Sequence, residues 1–184
     1  MKKTAVHAEL SDKQIRFGIK SAYPFRRFLN KYEKEGFLTF WYPWYYVSVT
    51  VQMDTYLKKG MAYKDLVVVD CLRPIRERVT SYPEIHSSGV MKGIVPDLKI
   101  TEKDADDEAI DLMKGIVLSR NKLLKDYELS ADNCRLFYLK TFVVKLKNRP
   151  PQDWLYIDEH FQAAAKLSLR PEVLSYIQKE NVDY

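Results

Sequence analysis

The chain has 184 residues, of which 46% are hydrophobic and 30% charged. That composition excludes a disordered chain, and the length suffices to bury a core without disulfides or metals. Thirty Lys and Arg against 25 Asp and Glu leave a formal net charge of +5, which permits a nucleic acid or an anionic membrane as partner without arguing for either.

The two cysteines, Cys71 and Cys134, lie far apart and form no CxxC motif. Both sit beside apolar strand-like runs, where a free thiol behaves as a small hydrophobe. The expectation is a reducing compartment, no disulfide framework and no cofactor. The opening MKKTAVHAELSDKQ has two lysines but no apolar run behind them, unlike a signal peptide. No stretch approaches the ~18 apolar residues that cross a bilayer. The expected location is cytoplasmic.

In chain order, residues 11–35 read as helical. Ser11 and Gln14 have capping-box spacing. Ile15, Ile19, Ala22 and Tyr23 follow at helical intervals, Pro24 interrupts, and Gly36 marks a stop. Residues 37–53 are strand-like, rich in aromatic and β-branched side chains. LKKG at 57–60 is a turn, and LVVVDC at 66–71 a second strand able to pair with the first as a hairpin. Residues 79–98 carry Pro83, Gly89, Gly93 and Pro96 and read as a long connection. Residues 106–125 form the clearest helix, with acids at its start and bases at its end, as the helix dipole favours. Ile110, Met113, Val117 and Leu124 line one face, with Ile116 beside them. Residues 135–147 are strand-like, Pro150-Pro151 a turn, and WLYID at 154–158 a fourth strand. Residues 161–169 read as helical on their three alanines, and Pro171 opens a final short helix.

This order predicts an α+β fold: an antiparallel sheet of four or more strands with helices mainly on one face, in a single domain over 1–184. It also suggests an αββ pseudo-duplication, residues 11–78 against 101–165. FWYPWYYV before LVVVD is matched by LFYLKTFVV before WLYID, pairing Asp70 with Asp158 and Tyr42 with Tyr138.

The most unusual local feature is FWYPWYYVSVTV at 40–51. Strand alternation puts Trp41, Pro43, Tyr45, Val47, Val49, Val51 and Met53 on one face, which reads as core. Phe40, Tyr42, Trp44 and Tyr46 share the other face with Ser48, Thr50 and Gln52. Two readings stay open for that second series. The rings are either packed beneath another element, as aromatic stripes usually are, or form an exposed platform for a partner. Pro43, which cannot donate a ladder hydrogen bond, implies an edge or a bulge that would swap faces.

Arg135, Phe137, Lys145, Lys147 and Arg149 fall on one face of the third strand, with Lys140 opposite. Cations interleaved with rings suit phosphate and unpaired bases. The plainer reading is a solvated strand end blunted by lysine. Arg26-Arg27 with Lys20 and Lys31 reads as the polar face of the first helix. Asp158, Glu159 and His160 make a trio at a strand end, and Asp70 and Cys71 sit at the matching place, with His86 nearby. Neighbouring strand residues point apart, so neither set converges as a metal site, and Cys71 with His86 makes a nucleophile–base pair only if the fold joins them. Asp70 and Asp158 read better as turn residues that accept local backbone hydrogen bonds. SSGVMKG lacks the rest of a phosphate loop.

The functional expectation is a small non-enzymatic protein-binding or adaptor protein, presenting Phe40, Tyr42, Trp44 and Tyr46 to a protein partner or a second copy. The alternative is a single-stranded nucleic-acid-binding domain that adds Lys140, Lys145, Lys147 and Arg149 to that face. A third reading is an enzyme or small-molecule binder with a pocket between sheet and helices near Cys71, His86 or His160.

Overall fold

The computed structural model describes residue 22 and residues 34–81, 91–158 and 163–179. The expected first helix over 11–35 lies mostly outside the described residues: Ala22 is helical, while Lys34 and Glu35 at its expected end already belong to a strand. The Arg26-Arg27 cluster, His86, Gly89, Glu159 and His160 lie outside them too.

The elements run β1 (Lys34–Thr55), β2 (Met61–Asp70), β3 (Arg76–Val79), α1 (Glu102–Arg120), β4 (Leu124–Leu146), β5 (Leu155–Asp158), β6 (Ala163–Lys166) and α2 (Pro171–Lys179). The strands form one antiparallel sheet in the order β3-β2-β1-β4-β5-β6. Contacts divide the described chain into two compact units. The first comprises 43–81 and 97–137, the second 34–42, 91–96, 138–158 and 163–179. The long strands β1 and β4 each contribute residues to both units.

In the first unit, β1 and β2 make the expected hairpin, in register from Trp44↔Asp70 to Met53↔Met61. Its turn closes where LKKG predicted. Gly60 adopts φ +64°, a left-handed conformation that suits glycine, and its N–H donates to Asp54 Oδ1 at 2.7 Å. At the far end of β2, Asp70 Oδ1 accepts from the Leu72 and Arg73 amides, at 2.8 and 3.1 Å. The Arg73 Nε–H reaches Asp70 Oδ2 at 2.8 Å, and the Asp70 N–H donates to the Ile75 carbonyl at 2.9 Å. The buried carboxylate thus organises the reversal into β3, the turn role read from the sequence. The strand β3 itself lies partly within the stretch expected to be connection. It pairs Arg76–Val79 with Leu66–Val69.

The helix α1 starts at Glu102 rather than 106, because Thr101 and Asp104 form a reciprocal capping box one turn earlier. It ends at Arg120, where the Asn121 side-chain amide donates to the Val117 carbonyl at 2.9 Å. Ala105, Ala109, Met113 and Val117 form its buried stripe. The two alanines let the helix lie close on Tyr45, Val47, Val49 and Val51 of β1 and on Val67, Val69 and Cys71. The odd-numbered residues of β1 are therefore core in this unit, as alternation predicted. Arg76 holds α1 from outside through Glu108 and, at 2.7 Å, Asp111.

The strand β4 begins at Leu124 rather than at the expected 135 and takes in the last two residues of the expected helix. Tyr127, Leu129 and Ala131 face the α1 core, and so do Cys134 and Leu136. The inward set changes from odd to even numbers across Asp132 and Asn133, both exposed. One extra residue, as in a β-bulge, accounts for that shift.

In the second unit, Phe40, Trp41, Tyr42, Tyr138, Phe142, Trp154, Tyr156, Leu167, Val173 and Ile177 are all buried. The strand β5 pairs with Thr141–Val144 of β4 on one side and with β6 on the other. The expected helix over 161–169 is corrected here: 163–166 is the strand β6, followed by a single 3-10 turn at Leu167–Leu169. All four β5 residues are buried, so their backbone groups require ladder partners, and that need overrides the helix preference of alanine. Pro171 opens α2 as expected. The segment around Ile94 closes against β1: the Trp41 N–H donates to the Ile94 carbonyl and the Ile94 N–H to Thr39, both at 2.9 Å. Gly93 permits this approach, since a Cβ there would stand 2.5 Å from the Thr39 carbonyl oxygen. Gly36 lies inside β1 and terminates nothing.

Candidate functional site

The aromatic series is covered. Phe40, Tyr42, Trp44 and Tyr46 are each at most 9% exposed. In the second unit, the Phe40 ring lies 6.2 Å from Tyr176 of α2, edge-on. The Tyr42 ring lies 6.5 Å from Tyr156, and its hydroxyl donates to Glu172 Oε1 at 3.3 Å. In the first unit, Tyr46 stacks on Phe137 with centroids 4.6 Å apart and a tilt of 37°. Of the two readings left open by the sequence, the described structure has these rings as scaffold, not as an open platform. Burial of large apolar area under neighbouring elements is the dominant use of such side chains.

The basic residues are dispersed in their roles. Lys140 sits 5.1 Å over the Phe142 ring and Lys145 5.4 Å over the Trp154 ring. The Arg149 carbonyl accepts the Trp154 indole N–H at 3.0 Å. Lys147 is exposed, and so is Arg135 in the first unit. The ammonium groups of Lys140 and Lys145 thus lie over rings of the same unit, Phe142 on β4 and Trp154 just before β5.

A cavity of about 260 Å³ opens beside Cys71, lined among others by Val69, Leu72, Pro74, Ile75 and Ile100, with Asp70, Arg73, Lys99 and Glu108 as its charged lining. It is mainly apolar and lies below the usual volume range of small-molecule sites. Cys71 is buried in it, and desolvation, reinforced by the neighbouring Asp70 carboxylate, pushes its thiol far above the ordinary range. Cys134 is pushed up to about 12, first by burial and then by the Asp106 and Glu102 carboxylates. Both thiols are free and stay protonated at neutral pH, so neither is activated as a nucleophile. Among the described residues, no cluster of His, Cys, Asp and Glu has the arrangement of a metal site.

The second unit holds a buried polar group around Tyr156: Thr141, Asp158 and Glu172 are all buried with it. Burial, and then the Asp158 carboxylate, drive the Tyr156 phenol well above its usual range. The Arg170 guanidinium lies 5.1 Å over the Tyr156 ring and 3.9 Å from Glu172 Oε1. The Thr141 hydroxyl donates to the Phe40 carbonyl at 2.8 Å. These contacts tie α2 to the strands.

A feature missed by the sequence reading is the edge of β4 in the first unit. The strand β5 pairs only with Thr141–Val144. Along 124–137, β4 has β1 on one side, and among the described residues no strand on the other. Before the bulge, residues 124–131 provide about 27 Å of edge at ~3.4 Å per residue. Its exposed side chains include Asp126, Glu128 and Ser130, and Asp132 follows, paired with Lys64 at 2.9 Å. The alternation of D-Y-E-L-S-A at 126–131 was the available sequence signal.

No helix among the described residues is long and apolar enough to cross a membrane. No family model, curated protein or solved structure matches the chain.

Proposed function

We propose that this is a binding protein without catalytic chemistry, and that it takes an extended segment of a protein partner onto the open edge of β4. The observation that carries this reading is the outer edge of 124–131, which pairs with no strand among the described residues and is longer than the five or six residues of an average strand. An added strand would satisfy the edge amides and carbonyls, and strand addition is a recurring mode of peptide capture. Asp126 and Glu128 set the partner's chemistry. Like charges brought opposite each other disfavour pairing of two copies, so the preferred segment carries Lys or Arg at alternate positions.

A photo-crosslinking side chain at Ser130 should give a discrete protein adduct in cells, whereas one at Lys103, exposed on α1, should not. Asp126→Lys with Glu128→Lys should abolish the adduct without changing thermal stability. An equal adduct from Lys103, or one indifferent to the charge reversal, would overturn the proposal. A nuclease-sensitive adduct would favour the single-stranded nucleic-acid reading, with Lys140, Lys145, Lys147 and Arg149 as its cations.

The element order β-β-β-α occurs twice, over β1–α1 and β4–α2. It supports an internal duplication whose repeat includes a third short strand. The two free thiols support a reducing, cytoplasmic setting.

A further inference from the structure

At one end of the first unit, two segments far apart in sequence are joined. The Tyr56 N–H, in the β1–β2 turn, donates to the Leu123 carbonyl, between α1 and β4, at 3.0 Å. Every residue from 56 to 60 is exposed. Tyr56 is 76% exposed, Leu57 84%, Leu118 50% and Leu123 49%. Four large apolar side chains thus stand in water at the same end of the unit.

The charged side chains of these two segments are all cationic, and Asp54, Asp126 and Glu128 line a groove just behind them. Lys58, Lys59, Arg120, Lys122 and Lys125 lie in the same two segments, and all are exposed. Residues 55–60 and 117–125 contain no carboxylate. The nearest acid before the turn, Asp54, is engaged by the Gly60 N–H.

We infer that this tip docks on an anionic phospholipid surface, with Leu57, Tyr56 and Leu123 entering the interfacial layer and the five cations meeting the headgroups. Apolar insertion and cation attraction to acidic lipids are the two contributions that hold peripheral proteins at membranes. The charge complementarity favours this occupant. An acidic protein groove would require fixed partners for each cation, whereas a fluid leaflet supplies mobile anions around an apolar layer. Long lysine stems suit that geometry, since they keep the ammonium among headgroups while their methylenes lie against lipid. The tip is separate from residues 126–131, so docking leaves most of the β4 edge open to a partner.

The test is co-sedimentation of the full chain with vesicles of pure phosphatidylcholine, or with 30% phosphatidylserine added (about one lipid in three, a composition chosen to give a strongly anionic surface). The wild type should bind the anionic vesicles, bind the neutral ones at least roughly tenfold more weakly, and release them at high salt. Lys58→Glu with Lys59→Glu and Lys122→Glu should remove the binding. Leu57→Ser with Leu123→Ser should weaken it on the order of tenfold or more. Leu169→Ser, a control at an equally bare leucine outside the tip, should bind as the wild type. A Leu57→Trp probe should shift its fluorescence to the blue only with anionic vesicles, a readout that needs no loss of fold. The proposal is overturned by absence of vesicle binding, by equal binding to both compositions, or by full retention in the leucine variant. An acidic protein as the true occupant would appear as the first of these results.

Discussion

Replacing Tyr46 by alanine separates a scaffold ring from an exposed binding ring. The ring is buried and lies 4.6 Å from Phe137. Truncating a buried aromatic costs about 3–5 kcal/mol, from lost transfer energy and the cavity left behind. Such a loss is a large part of the ~5–15 kcal/mol that holds a domain folded, so the variant should remain folded but weakened. At about 2–4 °C per kcal/mol for a chain of this size, the melting temperature should fall by roughly 6–20 °C. Phe137→Ala should cost a similar amount, and the double variant should show a coupling of about 0.5–1.5 kcal/mol, the value of an aromatic pair beyond its buried area. Tyr46→Phe keeps the ring packed on Phe137 and should cost less than Tyr46→Ala. Urea unfolding followed by far-UV dichroism measures all four variants. A cost below about 1 kcal/mol for Tyr46→Ala, or no coupling to Phe137, would refute the buried packing and restore the ring to the surface.

Thr101→Ala removes one half of the α1 capping box and should cost about 0.5–2 kcal/mol in denaturant unfolding. The Asp104 carboxyl is held below its ordinary range, first by the Thr101 amide and then by its hydroxyl. Asp132 is likewise lowered, first by the Thr50 hydroxyl and then by Lys64. A depressed carboxylate contributes stability that is complete above its unfolded pKa of about 3.9 and is lost as pH falls through the lower folded value. The wild type should therefore lose stability on acidification below about pH 4, and Thr101→Ala with Asp132→Asn should flatten that loss; an unchanged acid profile would refute the assignment. At pH 8, Cys134 at about 12 is thiolate in only roughly one molecule in ten thousand. A thiol-specific disulfide reagent should find neither cysteine quickly in the folded protein and both in guanidinium, and one fast equivalent under native conditions would show an activated thiol.

The hairpin of β1 and β2, its turn at Gly60, the core-facing odd residues of β1, the strand β5 and the start of α2 were all readable from local alternation and turn chemistry. So was the turn role of Asp70, because an aspartate at a strand end has its partners within three residues. The start of α1 was readable in principle, since Thr101 and Asp104 have the capping spacing, but a run of acids beyond them drew the boundary inward. The short strands β3 and β6 could not be read. Four residues carry too little periodicity, and the alanines of β6 become strand only because a fully buried β5 needs a partner for its backbone. The bulge at Asp132-Asn133 hid the first half of β4 by breaking its alternation. Above all, the sequence divided FWYPWYYVSVTV into two faces but could not say what covers the second. Cover for Phe40 comes from Tyr176 and for Tyr46 from Phe137, residues roughly 90 or more positions away, and no local pattern encodes a contact of that range. The same long-range pairing leaves the outer edge of 124–131 without a strand among the described residues and brings Tyr56 and Leu123 together. Local chemistry wrote the elements, and the tertiary arrangement alone decided which of their faces and edges meet water.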